Sequence, residues 1–350
     1  MKVIEIEKIG SVTSPLALQR AVNIADSNHF PRAGDVVILR ALGESVSYGN
    51  LELPTGRLAK INRGDVVAGV LGKRRALKGF VGDVPKRLEA GDKLHLLNMG
   101  GVVGVCSGHH SSLSDAIELE FLGAAIDDMG RPLNLGFVGL PPAVSLSAKC
   151  PIIFIAGTCM NSGKTVAATE IIKQATHAGL KVAGAKLSGI ACLRDTLNMQ
   201  DHGAFVTASF LDCGLPSTVD HDDLPGVAKA IFNYLNCFDP DLIVAELGDG
   251  IIGGYSVDSV LRDHEIRKSI SSFVFCTSDY VGVIGGAAVL DGLGISIDVV
   301  AGGVTDSQMG EDFILTHFGL QAGNARRDGR RLFELVNPPI ENERKLALAR

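Results

Sequence analysis

Gly157-Thr158-Cys159-Met160-Asn161-Ser162-Gly163-Lys164-Thr165 lies between the apolar run Ile152-Ile153-Phe154-Ile155-Ala156 and a helical pattern from Val166 to His177. The run has the continuous apolarity of a buried parallel strand. Five residues separate the two glycines, where a strict phosphate loop has four. The chemistry of such a loop is present nonetheless. Gly163 lets the backbone approach phosphate oxygens, and the helix N-terminus presents N–H groups and a partial positive charge. Lys164 supplies a point charge for β- and γ-phosphates, and Thr165 a hydroxyl for Mg²⁺. Gly157, Thr158, Asn161 and Ser162 complete the nucleotide-binding loop. The bland alternative is a Gly-rich turn with an incidental Gly-Lys-Thr. The strand–turn–helix context weighs against it.

The same rhythm continues downstream. Lys181-Val-Ala-Gly-Ala185, Asp241-Leu-Ile-Val-Ala-Glu246, Ser272-Phe-Val-Phe-Cys276 and Ile295-Ser-Ile-Asp-Val-Val300 each end at a polar or Gly-rich turn. Strands alternating with helices predict a doubly wound, mostly parallel α/β sheet. Ligands of such sheets bind outside the carboxyl ends of the strands. Glu246 stands there and can hold Mg²⁺ directly or through water. Gly248 and Gly250 behind it let the chain pass close to phosphate. Lys186 ends another strand and can hold an anionic substrate or a transferring phosphoryl group; a solvated loop lysine is the alternative. Asp201 reads either as a Mg²⁺ ligand or as a helix N-cap. Asp195 and Asp249 compete with it for the metal shell.

Upstream the texture differs. Gly34-Asp35, Gly64-Asp65 and Gly91-Asp92 each introduce a β-branched or Leu-rich run, at intervals of about thirty residues. This pattern predicts a smaller, mainly β, barrel-like domain. Pro15–Asp26 has apolar residues at helical spacing and predicts an N-terminal helix. Lys73, Arg74, Arg75 and Lys78 read as an exposed basic loop or an anion patch. The predicted divisions are a β domain over 1–148, an α/β domain over 149–337 and a charged tail over 338–350.

Composition sets the outer bounds. A chain of 350 residues has room for two domains, and 46% hydrophobic with 21% charged residues is a globular balance. The net charge of −6 gives no general attraction to nucleic acid or anionic membranes, so neither is an expected partner. Val281–Val304 is broken by Asp291, Asp298 and glycines and is unsuited to span a bilayer. The start, Met1–Lys8, alternates like a strand and not like a signal peptide. Seven cysteines without a C-x-x-C pair read as reduced thiols of a cytoplasmic protein.

Ala156–Thr169, Gly179–Lys186, Met199–Asp201 and Asp241–Gly250 together resemble dethiobiotin synthetase and its group of P-loop NTPases, over roughly residues 151–310. The resemblance implies phosphate contacts from Thr158, Gly163, Lys164 and Thr165. It implies Mg²⁺ ligation by Thr165, Asp201 and Glu246, and a catalytic Lys186 that orients a carbamate and phosphoryl group beside Lys164. In that group ATP activates a carboxyl-type oxygen for attack by an amine. The group's Glu-Gly-x-Gly-Gly is here Glu246-Leu-Gly-Asp-Gly250. Its Lys-Pro is Lys186-Leu187, and its base-reading Asn is replaced by glycine at Gly302-Gly303. The β domain has no counterpart in it.

The expected function is Mg²⁺-dependent binding of ATP or another nucleoside triphosphate. The enzyme expected is ligase-like or an NTP hydrolase, activating the carboxylate of an unidentified small-molecule substrate by phosphoryl transfer. The alternative is a nucleotide-dependent switch or chaperone whose N-terminal β domain binds a protein partner. A homodimer is compatible with either.

Overall fold

The computed structural model describes residues 2–25, 30–147 and 149–336. Asp26 and the predicted tail over 338–350 lie outside the described residues. Two compact units are present. Unit 1 comprises Met1–Pro142, Gly189–Leu197 and Ser209–Asp222, and unit 2 comprises Ala143–Ser188, Asn198–Ala208 and Asp223–Arg350. The two later stretches of unit 1 are tied in by polar contacts. Asn98 Nδ2 donates to Ala191 O at 2.9 Å, Leu193 N to Glu52 Oε2 at 2.7 Å, and Lys73 pairs with Asp220 at 2.9 Å.

Unit 1 holds β1 (Lys2–Glu5), β2 (Lys8–Ile9), β3 (Ala21–Ala25), β4 (Val36–Ala41), β5 (Asn50–Glu52), β6 (Leu58–Lys60), β7 (Val66–Leu71), β8 (Arg74–Arg75), β9 (Phe80–Asp83), β10 (Lys93–Leu96), β11 (Val102–His109) and β12 (Glu118–Ile126). The ladders β12–β4, β4–β7, β7–β11, β11–β10 and β10–β12 return to their starting strand, a closed circuit of pairing. Alternate residues Val37, Leu39 and Ala41, then Leu94 and Leu96, then Leu119 and Phe121, share one core, as the two-residue period of strands requires.

The three Gly-Asp turns are built alike. Asp35, Asp65 and Asp92 donate their N–H to the carbonyls of Arg32, Asn62 and Glu89, at 3.2, 3.1 and 3.0 Å. Their Oδ2 atoms accept from the N–H of those same residues, at 2.8, 2.6 and 2.8 Å. Gly34, Gly64 and Gly91 have φ of 93°, 95° and 97°, the region that the third position of a type II turn demands. Each turn delivers the chain into a strand: β4, β7 or β10.

Two expectations for this half change. The helical spacing over Pro15–Asp26 becomes a short 3-10 turn at Ser11–Leu16 followed by strand β3. β3 pairs with β1 on one edge and β12 on the other, burying Val22 and Ile24. Ladder bonds on both edges outweigh a weak helical pattern. The basic cluster is not a uniformly exposed loop either. Arg74 is 2% exposed in β8, donating to Leu97 O and to Tyr48 Oη, with its guanidinium 4.8 Å from the Tyr48 ring centre.

Unit 2 is built on a sheet of β13 (Ile152–Gly157), β14 (Val182–Lys186), β15 (Val206–Ser209), β16 (Leu242–Glu246), β17 (Ile270–Cys276), β18 (Val299–Ala301) and β19 (Gln321–Ala322). The order is β15-β14-β16-β13-β17-β18-β19, and the ladders from β14 to β19 are parallel. The helices are α1 (Lys164–His177), α2 (Arg194–Asp201, whose first residues belong to unit 1 and whose last belong to unit 2), α3 (Leu224–Asn236), α4 (Val257–Arg262), α5 (His264–Ser269), α6 (Tyr280–Asp291), α7 (Gln308–Phe318) and α8 (Gly329–Val336). Ile153, Ile155, Val182, Val244 and Val274 face α1 and α8 in one core. Phe154, pointing the other way, meets Phe232 of α3 with ring centres 5.7 Å apart. Strands covered on both faces must be apolar throughout, and this is the α/β architecture with a parallel sheet that the sequence predicted.

Candidate nucleotide phosphate site

β13 ends at Gly157 in the middle of the sheet, between β16 and β17. The turn that follows is held by backbone on both sides: Thr158 N donates to Cys276 O at 3.1 Å, and Ile251 N to Gly157 O at 2.9 Å. Gly163 caps α1 with φ 103°. A Cβ there would lie 2.8 Å from Gly302 Cα, and one at Gly302 would lie 2.1 Å from Ser162 O. Two backbones touch here, and glycine on both sides permits it. Gly250 and Gly248 serve the same end. Side chains there would strike Thr158 O at 2.2 Å and Ser188 O at 2.1 Å. At both positions the missing side chain makes room for protein backbone.

Lys164 opens α1 and is 5% exposed. Its Nζ donates to Cys159 O at 2.7 Å and to Ser162 Oγ at 3.4 Å. Burial pushes its ammonium below the ordinary range; the charge of Glu246 opposes this, and that of Lys186 adds to it. A buried cation at a helix N-terminus is a ready anion site.

Glu246, 1% exposed, is where three elements converge. Its Oε1 accepts from Thr165 Oγ1 of α1 at 2.9 Å and from Lys186 Nζ at the end of β14 at 2.8 Å. Sheet register sets this up: Glu246 pairs with Lys186 on one side and Ile155 on the other. Its Oε2 is buried without a hydrogen-bond partner. An open carboxylate oxygen beside a threonine hydroxyl is a hard donor set that fits Mg²⁺. Mg²⁺ takes one or two carboxylates and keeps water and phosphate for the rest. No group of three or more His, Cys, Asp or Glu among the described residues is placed to hold a metal ion.

Asp201 does not join this group. It is exposed at the last residue of α2. Just beyond it, a Cβ on Gly203 would meet Thr176, near the C-terminal end of α1, at 2.8 Å, and Phe205 N donates to Val182 O at the first residue of β14. These contacts put that end of α2 at the amino edge of the sheet, opposite Lys186 and Glu246. The connection leaves β14 at the carboxyl edge and must return to the amino edge before β15. Asp195 sits in the first turn of α2 and belongs to unit 1. Asp249 is half-buried, and its charge acts on Lys164, so it lies on the loop side. Cys276, beside Gly157, is fully buried, which pushes its thiol up to about 12.

The sequence reading missed a polar cluster beside the loop. A cleft is bordered by Asn161 and Gly163, by Gly302 and Gly303, and by Asp306 and Asn324. Asn324 is 3% exposed and fully engaged. Its Nδ2 donates to Thr305 Oγ1 at 3.0 Å and Asp306 Oδ1 at 2.8 Å, while its Oδ1 accepts from the N–H groups of Arg326 and Arg327 at 2.9 and 2.8 Å. The available signal was position: both residues follow strands, β18 and β19, at the edge where ligands bind.

No protein-family model and no curated protein matches the chain. Solved structures similar to it include chloroplast FtsY from Physcomitrella patens, at 12% identity and TM-score 0.38 over 57% of this chain and 70% of that one. The cell division protein FtsY of Thermotoga maritima gives 15% and 0.38, over 57% and 70%. The signal recognition particle 54 kDa protein of Aeropyrum pernix, in complex with GDP, gives 15% and 0.38, over 58% and 51%. Likeness of this degree says nothing about what the present chain binds. The resemblance to the dethiobiotin synthetase group finds no support among these neighbours. On its own geometry, the strand, loop and Gly-Lys-Thr-led helix form a P-loop. No helix among the described residues is long and apolar enough to cross a membrane.

Proposed function

We propose that this chain binds a nucleoside triphosphate with Mg²⁺ at residues 157–165 and promotes reaction at the terminal phosphoryl group. The observation that carries the reading is the junction at Glu246, where Thr165 and Lys186 share one oxygen and the other is buried and unpartnered. The N–H groups of the first turn of α1, together with Lys164, hold the β- and γ-phosphates. Thr165 and Glu246 would hold Mg²⁺, which when bound neutralises charge on the phosphate oxygens. Lys186, fixed on a sheet strand, directs a second cation at the transferring group. Catalysis in this reading is positioning and charge stabilisation.

Activation of a small-molecule carboxylate by ATP would use the same two lysines, but it rests on motif resemblance alone. A nucleotide-dependent switch is favoured by one observation. The chain leaves unit 2 at Ser188, directly after the Lys186 strand, and Gly189 already belongs to unit 1. Calorimetry of triphosphates with and without Mg²⁺, followed by phosphate release, tests the proposal. Mg²⁺-dependent binding that Lys164→Ala weakens is the expected result, and no binding to the wild-type chain overturns it. Turnover that depends on an added metabolite favours the enzyme, and slow hydrolysis stimulated by a protein favours the switch.

A further inference from the structure

We infer that Ser188 and Gly248 are positioning residues for Lys186, holding its stem on one course so that its ammonium is aimed at the transferring group. The inference rests on the function proposed above and adds to it the residues through which Lys186 is placed. An ion pair at the tip does not by itself fix a lysine. The stem is flexible, and ordering it costs rotamer entropy that surrounding contacts must offset. What lies along the stem therefore decides how well the charge is aimed.

Along this stem lie two strand ends locked side by side. Lys186 pairs in register with Glu246. Beyond that pair, Leu187 N donates to Glu246 O at 3.0 Å, and Ser188 Oγ donates to Gly248 O at 3.1 Å. Ser188 is 0% exposed, and Gly248 is buried with it. A Cβ on Gly248 would lie 2.1 Å from Ser188 O and 3.2 Å from Lys186 Cε. Gly248 does not have a positive φ, so left-handed backbone is not what requires glycine here. Space is what requires it, and part of that space borders the carbon that carries the Lys186 ammonium. Ser188 joins the two sides of this arrangement. Its carbonyl fills the place of the missing side chain, and its hydroxyl holds the Gly248 carbonyl. Losing the hydroxyl frees the Gly248 turn to move away from Lys186 Cε, and the stem loses that support.

The experiment is a double-mutant cycle of Ser188→Ala with Lys186→Ala in the whole chain. Triphosphate affinity with Mg²⁺ and single-turnover phosphate release are both read, and melting curves confirm folding. Ser188→Ala should keep affinity within about twofold. It should lower the rate about tenfold, because misplacing a group by about an ångström costs up to about a hundredfold. In the Lys186→Ala background the same change should have almost no effect on rate, since nothing is left to position. Ser188→Cys fills the same space with a weaker donor and carries the same test should the alanine variant not fold. An equal loss of rate in both backgrounds, or no loss in either, overturns the inference and leaves the phosphate site standing. A loss of affinity that matches the loss of rate also overturns it, by placing Ser188 with the nucleotide. Turnover unchanged by Lys186→Ala alone, or failure of every triphosphate to bind, overturns both this inference and the function on which it rests.

Discussion

Lys186 Nζ donates to Glu246 Oε1 at 2.8 Å, with the two side chains 10% and 1% exposed. The residues end neighbouring parallel strands and pair in register. No loop has to close to bring them together. Because the pair is buried, removing one member leaves a costly charge behind, more costly than the pair itself is valuable.

Lys164→Ala should weaken triphosphate binding by roughly 2–5 kcal/mol, the cost of removing one partner of a buried charged contact. Titration calorimetry with Mg²⁺ present measures this directly. Unchanged affinity would remove the loop as the phosphate site.

The same lysine predicts a pH effect on the ligand-free protein. Burial holds its ammonium below the ordinary 10.5, so the folded chain binds this proton less tightly than the unfolded chain. That destabilisation is complete below the folded-state value and fades as pH rises toward 10.5. Lys164→Met should therefore raise the stability of the ligand-free chain by roughly 0.5–2 kcal/mol, and the gain should narrow in alkaline buffer. Melting curves across pH check it. A variant no more stable than wild type at any pH would mean that the bonds to Cys159 and Ser162 outweigh burial.

Glu246→Gln should bind triphosphate with much reduced Mg²⁺ dependence, whereas Asp201→Asn should titrate with Mg²⁺ like the wild type. Paired metal titrations decide between the two acids. The reverse outcome would restore Asp201 to the metal shell and displace Glu246.

Lys186→Ala should leave triphosphate affinity nearly intact, because the loop and helix terminus are untouched. Turnover should fall about a hundredfold or more, as expected for a charge aimed at the transition state. Binding and rate are measured on one preparation whose folding is confirmed by melting. Equal losses in both would place Lys186 on the nucleotide itself.

Gly64→Ala tests the repeated turn of unit 1. No atom lies within 4 Å of a Cβ at this position, so only the positive φ of 95° opposes the substitution. The cost should be about 1–2 kcal/mol. Gly43→Ala, equally open and without a positive φ, should be neutral or slightly stabilising. Denaturant curves of the two variants separate backbone strain from packing.

The phosphate loop was legible because its determinants are local. A buried strand, a glycine able to cap α1 at φ 103°, and a Lys-Thr pair on the first helical turn all lie within one short stretch. The Gly-Asp turns were legible for the same reason: each closes on a residue three positions earlier. The N-terminal stretch was misread because its strand β3 exists only through partners far along the chain, β12 among them.

The sequence by itself determined the parallel sheet, the loop and the candidacy of Lys186 and Glu246, since strand-end residues follow from the pattern of apolar runs. Only the tertiary structure decided which of them meet. Asp201 and Lys186 both lie close to strand ends in the sequence, yet they stand at opposite edges of the sheet, because every crossover carries the chain from the carboxyl edge back to the amino edge. Thr165, Lys186 and Glu246 come from three separate elements and converge because β16 lies between β13 and β14. Strand order of that kind is set by how whole faces pack, and no single stretch of residues encodes it.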